Sequence, residues 1–282
     1  PGCAAGGFRH ARECSRAAFR KYEECYRLKI AINQPTYLPW MGYFDLIDQV
    51  DLFVILNNVQ FVKQSWQQRN RIKTANGLQW LTVPVIFRGR LGQLIKDVEI
   101  RDREFARDHI RAIELAHSRS TFFAQYFPSL RERLEELREG LLLDLNLGLI
   151  SWVLEILKIK TPLVRASSLG VSGKRTELLA NICEVVGATE YVSPLGSAEY
   201  LLSEQAVLSQ RGIEISFQHY EHPQYRQVFT PFEPFASVID VILNCGEQAA
   251  AVIRSGRRQP YSVEQLSSIL AAASLREVSS LA

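Results

Sequence analysis

Residues 28–56 read LKIAINQPTYLPWMGYFDLIDQVDLFVIL, and this stretch decides the fold. Residues 29–33 (KIAIN) form a short run of β character. Residues 52–56 (LFVIL) are continuously apolar, as expected of a strand buried on both faces of a parallel sheet. Between them lies Gln34-Pro35-Thr36-Tyr37-Leu38-Pro39-Trp40, a turn held by two prolines, each of which fixes φ and removes a backbone donor. From 42 to 50 apolar residues recur at helical spacing, with Phe44, Ile47 and Val50 on one face. Strand, helix and strand in such quick succession make a βαβ unit, so the spacing predicts parallel α/β architecture.

Further along, 66–74 and 78–85 read as two strands with Asn76-Gly77 between them, a hairpin signal. Residues 95–100 read as another strand. From 103 to 159 the period turns helical. Leu130, Leu134 and Leu137 share a face that Gly140 closes, and 141–157 is apolar on most sides and therefore central. Alternation then resumes: strand 163–166, helix 174–186, strand 190–193, helix 203–210, strand 213–219, and helix 235–243 closed near Gly246. The predicted fold is α/β, a mostly parallel Rossmann-like sheet with a β-hairpin and a helical insertion. In such sheets ligands bind at the carboxyl ends of the strands, where the strand order reverses.

Composition sets outer bounds. The chain has 282 residues, of which 47% are apolar, enough to bury the core of one large or two small domains. Its 33 basic and 30 acidic residues leave a net charge of +3, which excludes a strongly basic nucleic-acid binder in bulk but not a local patch. The longest apolar candidate, 141–157, is interrupted by Asp144, Asn146 and Glu155, so no membrane span and a cytoplasmic location are expected. The five cysteines show no CxxC pair and no histidine at zinc-finger spacing, which predicts free thiols. Residues 1–27 differ in texture, rich in Arg and Glu, with Cys3, Cys14 and Cys25 and no apolar period. They are expected to be an appendage to the globular fold, with initiation near Leu28. Residues 28–256 then form the α/β domain, and 257–282 a weakly tied helical tail. There Ser262 and Gln265 make a capping box ahead of a face formed by Leu266, Ile269, Leu270 and Ala273.

Several residues carry possible chemistry. Lys63, Arg69, Arg71 and Lys73 form the most basic window, with no acid between 61 and 73. Arg69 and Arg71, two apart on a predicted strand, share a face. Guanidinium forks match phosphate oxygens, so the pair suits the diphosphate of a nucleotide sugar. A solvated strand face is the plainer alternative. With Trp66 and Asn70 adjoining, a groove for single-stranded RNA or tRNA is another. Gln34 offers an acceptor and two donors, and Tyr37 and Trp40 offer flat surfaces to a base or sugar, although with Tyr43 and Phe44 they serve equally well as core. Lys174 precedes a helix start that could attract an anion, or simply be capped. His219 and His222 are the candidate general bases, with Asp240 to orient an imidazole and Tyr225 and Gln227 to hold substrate hydroxyls. A histidine in a turn is also commonly structural. No Ser-His-Asp spacing or metal triad is visible, and the cofactor is left open.

Three segments together resemble one family. Gln34 to Phe44 (QPTYLPWMGYF) resembles the opening of WbqC-like proteins, and Val59-Gln60-Phe61, Trp66 and 69–73 (RNRIK) resemble the block that follows. His222-Pro-x-Tyr-x-Gln227, Phe232, and Ser237 to Asp240 with Asn244-x-Gly246 resemble the closing motifs. The resemblance runs from about 28 to 255. It implies an association with gene clusters for O-antigen and other surface glycans, and with transfer of acyl or aminoacyl groups onto amino sugars. It also brings Gln60 among the substrate-binding candidates. One departure is Asn57-Asn58, where the family often carries an acidic residue. The resulting expectation is a transferase that acylates or aminoacylates a nucleotide-activated amino sugar, with a separate acyl or aminoacyl donor as second partner. A non-catalytic nucleotide- or glycan-binding protein and a tRNA-binding aminoacyl transferase stand as alternatives. The sugar, the donor and the oligomeric state are left open.

Overall fold

The computed structural model describes residues 27–136 and 140–280, with side chains through residue 272. The expected appendage therefore lies almost wholly outside the described residues, as does Leu137. In chain order the elements are β1 (Lys29–Asn33), α1 (Met41–Asp48), β2 (Leu52–Ile55), β3 (Arg69–Thr74) and β4 (Gly77–Thr82). Three inserted helices follow: α2 (Glu104–His117), α3 (Phe123–Glu135) and α4 (Leu142–Leu157). Then come β5 (Leu163–Arg165), α5 (Arg175–Val186), β6 (Glu190–Ser193), α6 (Ala198–Ser203), α7 (Ala206–Ser209) and β7 (Glu214–Phe217). The chain closes with α8 (Val238–Cys245), α9 (Ala249–Ser255), β8 (Tyr261–Ser262) and α10 (Val263–Ser280).

Six strands form one sheet in the order β5-β2-β1-β6-β7-β8, and only β8 runs antiparallel to its neighbour. From β1 the chain builds outward to β2 and β5, then returns to the other side of β1 for β6 and β7. The order thus reverses between β1 and β6. The apolar runs are buried on both faces by simple alternation. Ala31, Phe53, Ile55 and Val192 pack into the layer with α1, the inserted helices, α8 and α9. Ile30, Ile32, Val54, Tyr191 and Phe217 pack into the opposite layer with α5, α6 and α7. A one-residue slip in any central strand would exchange the two sets, so the register is tightly specified.

The hairpin β3–β4 stands apart as a two-stranded sheet. Its turn differs from the expected Asn76-Gly77: Thr74 pairs with Gly77, so Ala75 and Asn76 occupy the turn and Gly77 opens β4. Residues 95–100 are not a continuous strand: only Glu99 and Ile100 make isolated antiparallel bridges, to Leu141 and Val85. Ile95 to Asp97 make a 3₁₀ turn because the amides of Ile95 and Lys96 bond the carbonyls of Val59 and Asn57 in a neighbouring loop. The single helix expected at 203–210 is two short ones, begun five residues earlier. They break at Glu204, whose carboxylate is taken by Thr176 Oγ and Arg175. The tail from 257 is not loose at its start. β8 adds to the sheet, and Arg257 Nε bonds Asp45 of α1 at 2.8 Å. The capping box forms, with Ser262 N to Gln265 Oε1 at 3.0 Å and Gln265 N to Ser262 Oγ at 3.2 Å. Of the predicted face beyond it, Leu266 is buried while Ile269 and Leu270 stay largely exposed.

No helix among the described residues is long and apolar enough to cross a membrane.

Candidate functional site

The proline loop after β1 is the site's foundation. Such a loop has carbonyls that neither helix nor sheet can satisfy, and two buried asparagines supply the donors. Asn70 Nδ2 bonds Tyr37 O at 3.2 Å and Leu38 O at 2.7 Å, and Asn146 Nδ2 bonds Pro35 O at 3.3 Å and Gln67 O at 2.8 Å. Leu38 takes φ 43°, a strained value for a branched side chain. It is held there by full burial and by those bonds. Tyr37 is fully buried, and its hydroxyl bonds His109 Nδ1 on α2 at 2.8 Å, while the other ring nitrogen donates to Thr82 O. The imidazole is therefore satisfied in its neutral form, and burial pulls its pKa down to about 4.

That linkage has a sign. The folded-state pKa lies below the unfolded value of about 6.5, so between the two the unfolded chain binds the extra proton and stability falls as pH drops. Urea unfolding at pH 7.5 and 4.5 is expected to show a loss of roughly 2–3 kcal/mol attributable to His109. The loss should shrink by that amount in His109→Gln. An equal acid sensitivity in the variant would assign it elsewhere.

Where the strand order reverses, a cavity of about 640 Å³ opens at the carboxyl ends of β1 and β6. Its walls come from the proline loop (Gln34, Thr36, Trp40), the start of α1 (Gly42, Tyr43), the hairpin side (Trp66, Gln67, Asn70, Arg71), the loop after β6 (Pro194 to Ser197, with Tyr200), and Gln218, Tyr220 and Phe235. Trp40 can lie flat against α1 because residue 42 is glycine; a Cβ there would come within 2.3 Å of the indole. Trp40 also meets Tyr220 edge-on at 5.4 Å and Phe235 at 5.5 Å, making one continuous aromatic wall.

Among the described residues, Arg71 is the sole charged one in the lining. It forms no ion pair among the described residues, and its Nε is buried without a partner. Its guanidinium lies 5.5 Å from the Trp66 ring and 5.4 Å from that of Trp80. Arg69 lies outside the cavity, stacked at 4.2 Å on the outer ring, Trp80. Gln34 accepts from Gln67 Nε2 at 2.7 Å through its oxygen. Its own amide nitrogen makes no hydrogen bond among the described residues, so it is available to a ligand.

Of the residues singled out in the sequence, Gln34, Trp66, Asn70 and Arg71 therefore meet at the cavity. Tyr37 sits beneath it in the core. Lys73 is buried on the same strand as Arg71 without an ion pair or hydrogen bond among the described residues. Gln60 is exposed in a bridge to Leu94, and Lys174 is exposed at the start of α5. Neither lines the cavity. Gln67, Gln218 and the 194–197 loop are lining residues that sequence reasoning passed over. The signal for the loop was available: a Pro-Leu-Gly-Ser run directly after a strand that turns out to face β1.

The closing motif forms a second layer behind the aromatic wall. Asp240, 1% exposed, accepts from Tyr225 Oη at 2.6 Å and Gln227 Nε2 at 2.9 Å, and lies 3.7 Å from the buried His117 ring. Asp240 thus anchors the 222–227 segment to α8. His222 stacks on Trp40 at 6.2 Å and meets Phe235 edge-on at 5.2 Å. Its Nδ1–H donates to Pro223 O at 3.0 Å, leaving Nε2 with a free lone pair, buried and unpartnered. Burial lowers its pKa, against the opposing pull of the Pro223 bond and Asp240, so the ring is neutral. His219 is stacked on Tyr261 and bonded to its hydroxyl at 2.9 Å. Cys183 and Cys245 are free thiols pushed up by burial to about 12 and about 11, unsuited to nucleophilic work. Asn57, where the resembled family often has an acid, is buried and clamps Ser167 through both ends of its amide. Among the described residues no cluster of His, Cys, Asp or Glu could hold a metal ion.

Fold and cavity define a doubly wound α/β protein with an aromatic-walled cavity at its switch point, into whose lining one arginine is set. The chain belongs to the WbqC-like protein family, whose model matches residues 34–252. It is 38% identical over 232 residues to "Uncharacterized protein Rv1507c" of Mycobacterium tuberculosis (strain ATCC 25618 / H37Rv), an alignment covering 82% of this chain and 99% of that protein. No solved structure matches it. Membership of this family points to polysaccharide-related biosynthesis.

Proposed function

We propose that this chain is a cytoplasmic enzyme of O-antigen-type surface-polysaccharide biosynthesis, which binds a nucleotide-activated amino sugar in the switch-point cavity and acylates or aminoacylates its amino group. The observation that carries the reading is Arg71, a lone, unpaired guanidinium in an acid-free cavity walled by aromatic and amide side chains. A charged group without a partner in such a place is costly unless a ligand anion completes it. A phosphate of the nucleotide sugar is the matching group.

In the transfer step the sugar's amine nitrogen attacks the donor's carbonyl carbon, and the bond from that carbon to the leaving group breaks. The ammonium proton passes to a base as the leaving group departs with its electron pair. His222 has the right protonation state for that base, with Nε2 carrying the lone pair. It does not line the cavity but packs behind Trp40 and Phe235 of its wall, so this role requires one of those rings to move.

A specific observation favours a second reading, a non-catalytic binding protein of the same pathway: no lining residue is a His, Cys, Lys, Asp or Glu. Turnover separates the two. The enzyme reading expects product from a nucleotide amino sugar with an acyl thioester, acyl adenylate or aminoacyl-tRNA donor. It also expects His222→Asn to lower turnover by ~10²–10⁴-fold with sugar-nucleotide affinity nearly unchanged. Binding by calorimetry without product from any donor class would establish the second reading. Full turnover in a stably folded His222→Asn protein would remove His222 as the base.

A further inference from the structure

We propose that Trp66 is the stacking platform for the nucleobase of the bound nucleotide, with Trp80 buttressing it from outside and Arg71 holding the adjoining phosphate. The inference rests on the nucleotide-sugar reading and adds a direction: base at the hairpin lip, sugar toward the strand ends.

Trp66 and Trp80 are 48% and 42% exposed, with ring centroids 5.3 Å apart and planes tilted by 38°. Two large indoles left half in water side by side, one on β4 and one in the turn before β3, are unusual unless a flat group covers them. Both rings carry cations. Arg69 is seated on Trp80 at 4.2 Å, and Arg71 approaches both rings from the cavity side. Arg69 thereby fixes Trp80, and Trp80 limits how far Trp66 can rotate. Trp66 is also set by its main chain, because its carbonyl accepts from Tyr37 N at 2.9 Å and so fastens it to the proline loop.

Trp66 and Arg71 both line the cavity, whereas Trp80 and Arg69 do not. A π-face and an unpaired guanidinium therefore stand side by side at one lip, the pairing that a base next to its phosphate requires. Elsewhere the lining offers the amide nitrogen of Gln34 to a polyhydroxylated ring, while the hydroxyls of Tyr43 and Tyr220 already donate to Gln34 O at 3.2 Å and Ile253 O at 2.9 Å.

Tryptophan emission of the full chain tests this, using UDP, ADP, GDP and dTDP alongside inorganic pyrophosphate and N-acetylglucosamine. At least one nucleoside diphosphate is expected to quench emission and to bind about 5- to 100-fold tighter than pyrophosphate. Trp66→Leu should abolish that margin while leaving pyrophosphate binding in place, which also reports an intact fold. Trp66→Phe, which keeps a ring, should preserve most of it. Equal affinity for pyrophosphate and every nucleoside diphosphate, an unchanged margin in Trp66→Leu, or quenching by N-acetylglucosamine alone would each overturn the assignment. Tight binding of a single-stranded oligonucleotide that falls steeply with salt would overturn it in favour of a nucleic-acid groove. A sugar nucleotide that binds by calorimetry with the same affinity in Trp66→Leu removes only the stacking platform. Failure of every nucleoside diphosphate and sugar nucleotide to bind removes the nucleotide-sugar reading as well.

Discussion

Replacing Arg257 with alanine is expected to destabilise the protein by about 2–4 kcal/mol. Asp45 is fully buried on α1, and burial raises its pKa. Three donors oppose that: Arg257 Nε at 2.8 Å, Gln218 Nε2 at 3.0 Å, and Gln49 Nε2. Arg257 also reaches Asp48, which Arg254 grips through both carboxylate oxygens at 2.8 Å. Without Arg257 the Asp45 carboxylate would stay buried with only neutral amides. Breaking a fully buried pair costs ~3–5 kcal/mol, and the lower range applies because the Arg257 side chain is 31% exposed. Urea unfolding at pH 7 measures the loss, and it should shrink at low pH, where Asp45 can take up a proton. Arg257→Lys should recover little, since an ammonium cannot bridge two carboxylates as a planar fork does. A midpoint unchanged from the parent would mean that solvent, not Arg257, compensates the Asp45 charge.

Gly246→Ala should cost a comparable amount, about 2–5 kcal/mol, for a steric reason. Gly246 ends α8 at φ 55°, ψ −126°, a region open essentially to glycine alone. A Cβ there would come within 2.4 Å of the Phe122 ring. Phe122 cannot readily retreat, because its amide caps the Leu243 carbonyl of the same helix at 3.0 Å. The pair Phe122→Ala with Gly246→Ala should regain the steric share and keep the backbone share. Full recovery in the double variant would show that φ strain contributes nothing.

The strands were legible because continuous apolar runs such as 52–56 leave no choice of face, whereas the reversal of strand order at β1 was not, since alternation of elements does not fix which strands become neighbours. Less regular segments depended on distant partners. Residues 95–100 look like one strand until the carbonyls of Val59 and Asn57 claim the amides of Ile95 and Lys96 at its start. At the site, Arg71 and Trp66 were identifiable from charge and aromaticity clustered within one short stretch of sequence, on β3 and in the turn before it. Tyr37 was not separable from its neighbours, since a proline loop gives no period from which to tell inward from outward. Its burial is decided by His109, 72 positions away. His222 was read as a candidate base from residue type alone; that it stands behind Trp40 and Phe235 is a matter of tertiary packing no spacing rule encodes.

The brevity of the outermost strands bears on how copies of this chain behave at high concentration. β5 offers three residues and β8 two, so among the described residues neither flank of the sheet presents a ladder long enough to recruit a strand from a second molecule. Removing the chain beyond Arg258 would strip β8 away and leave the four residues of β7 as a bare edge. On that account the C-terminal segment acts as a guard against intermolecular strand addition as much as a brace for the fold.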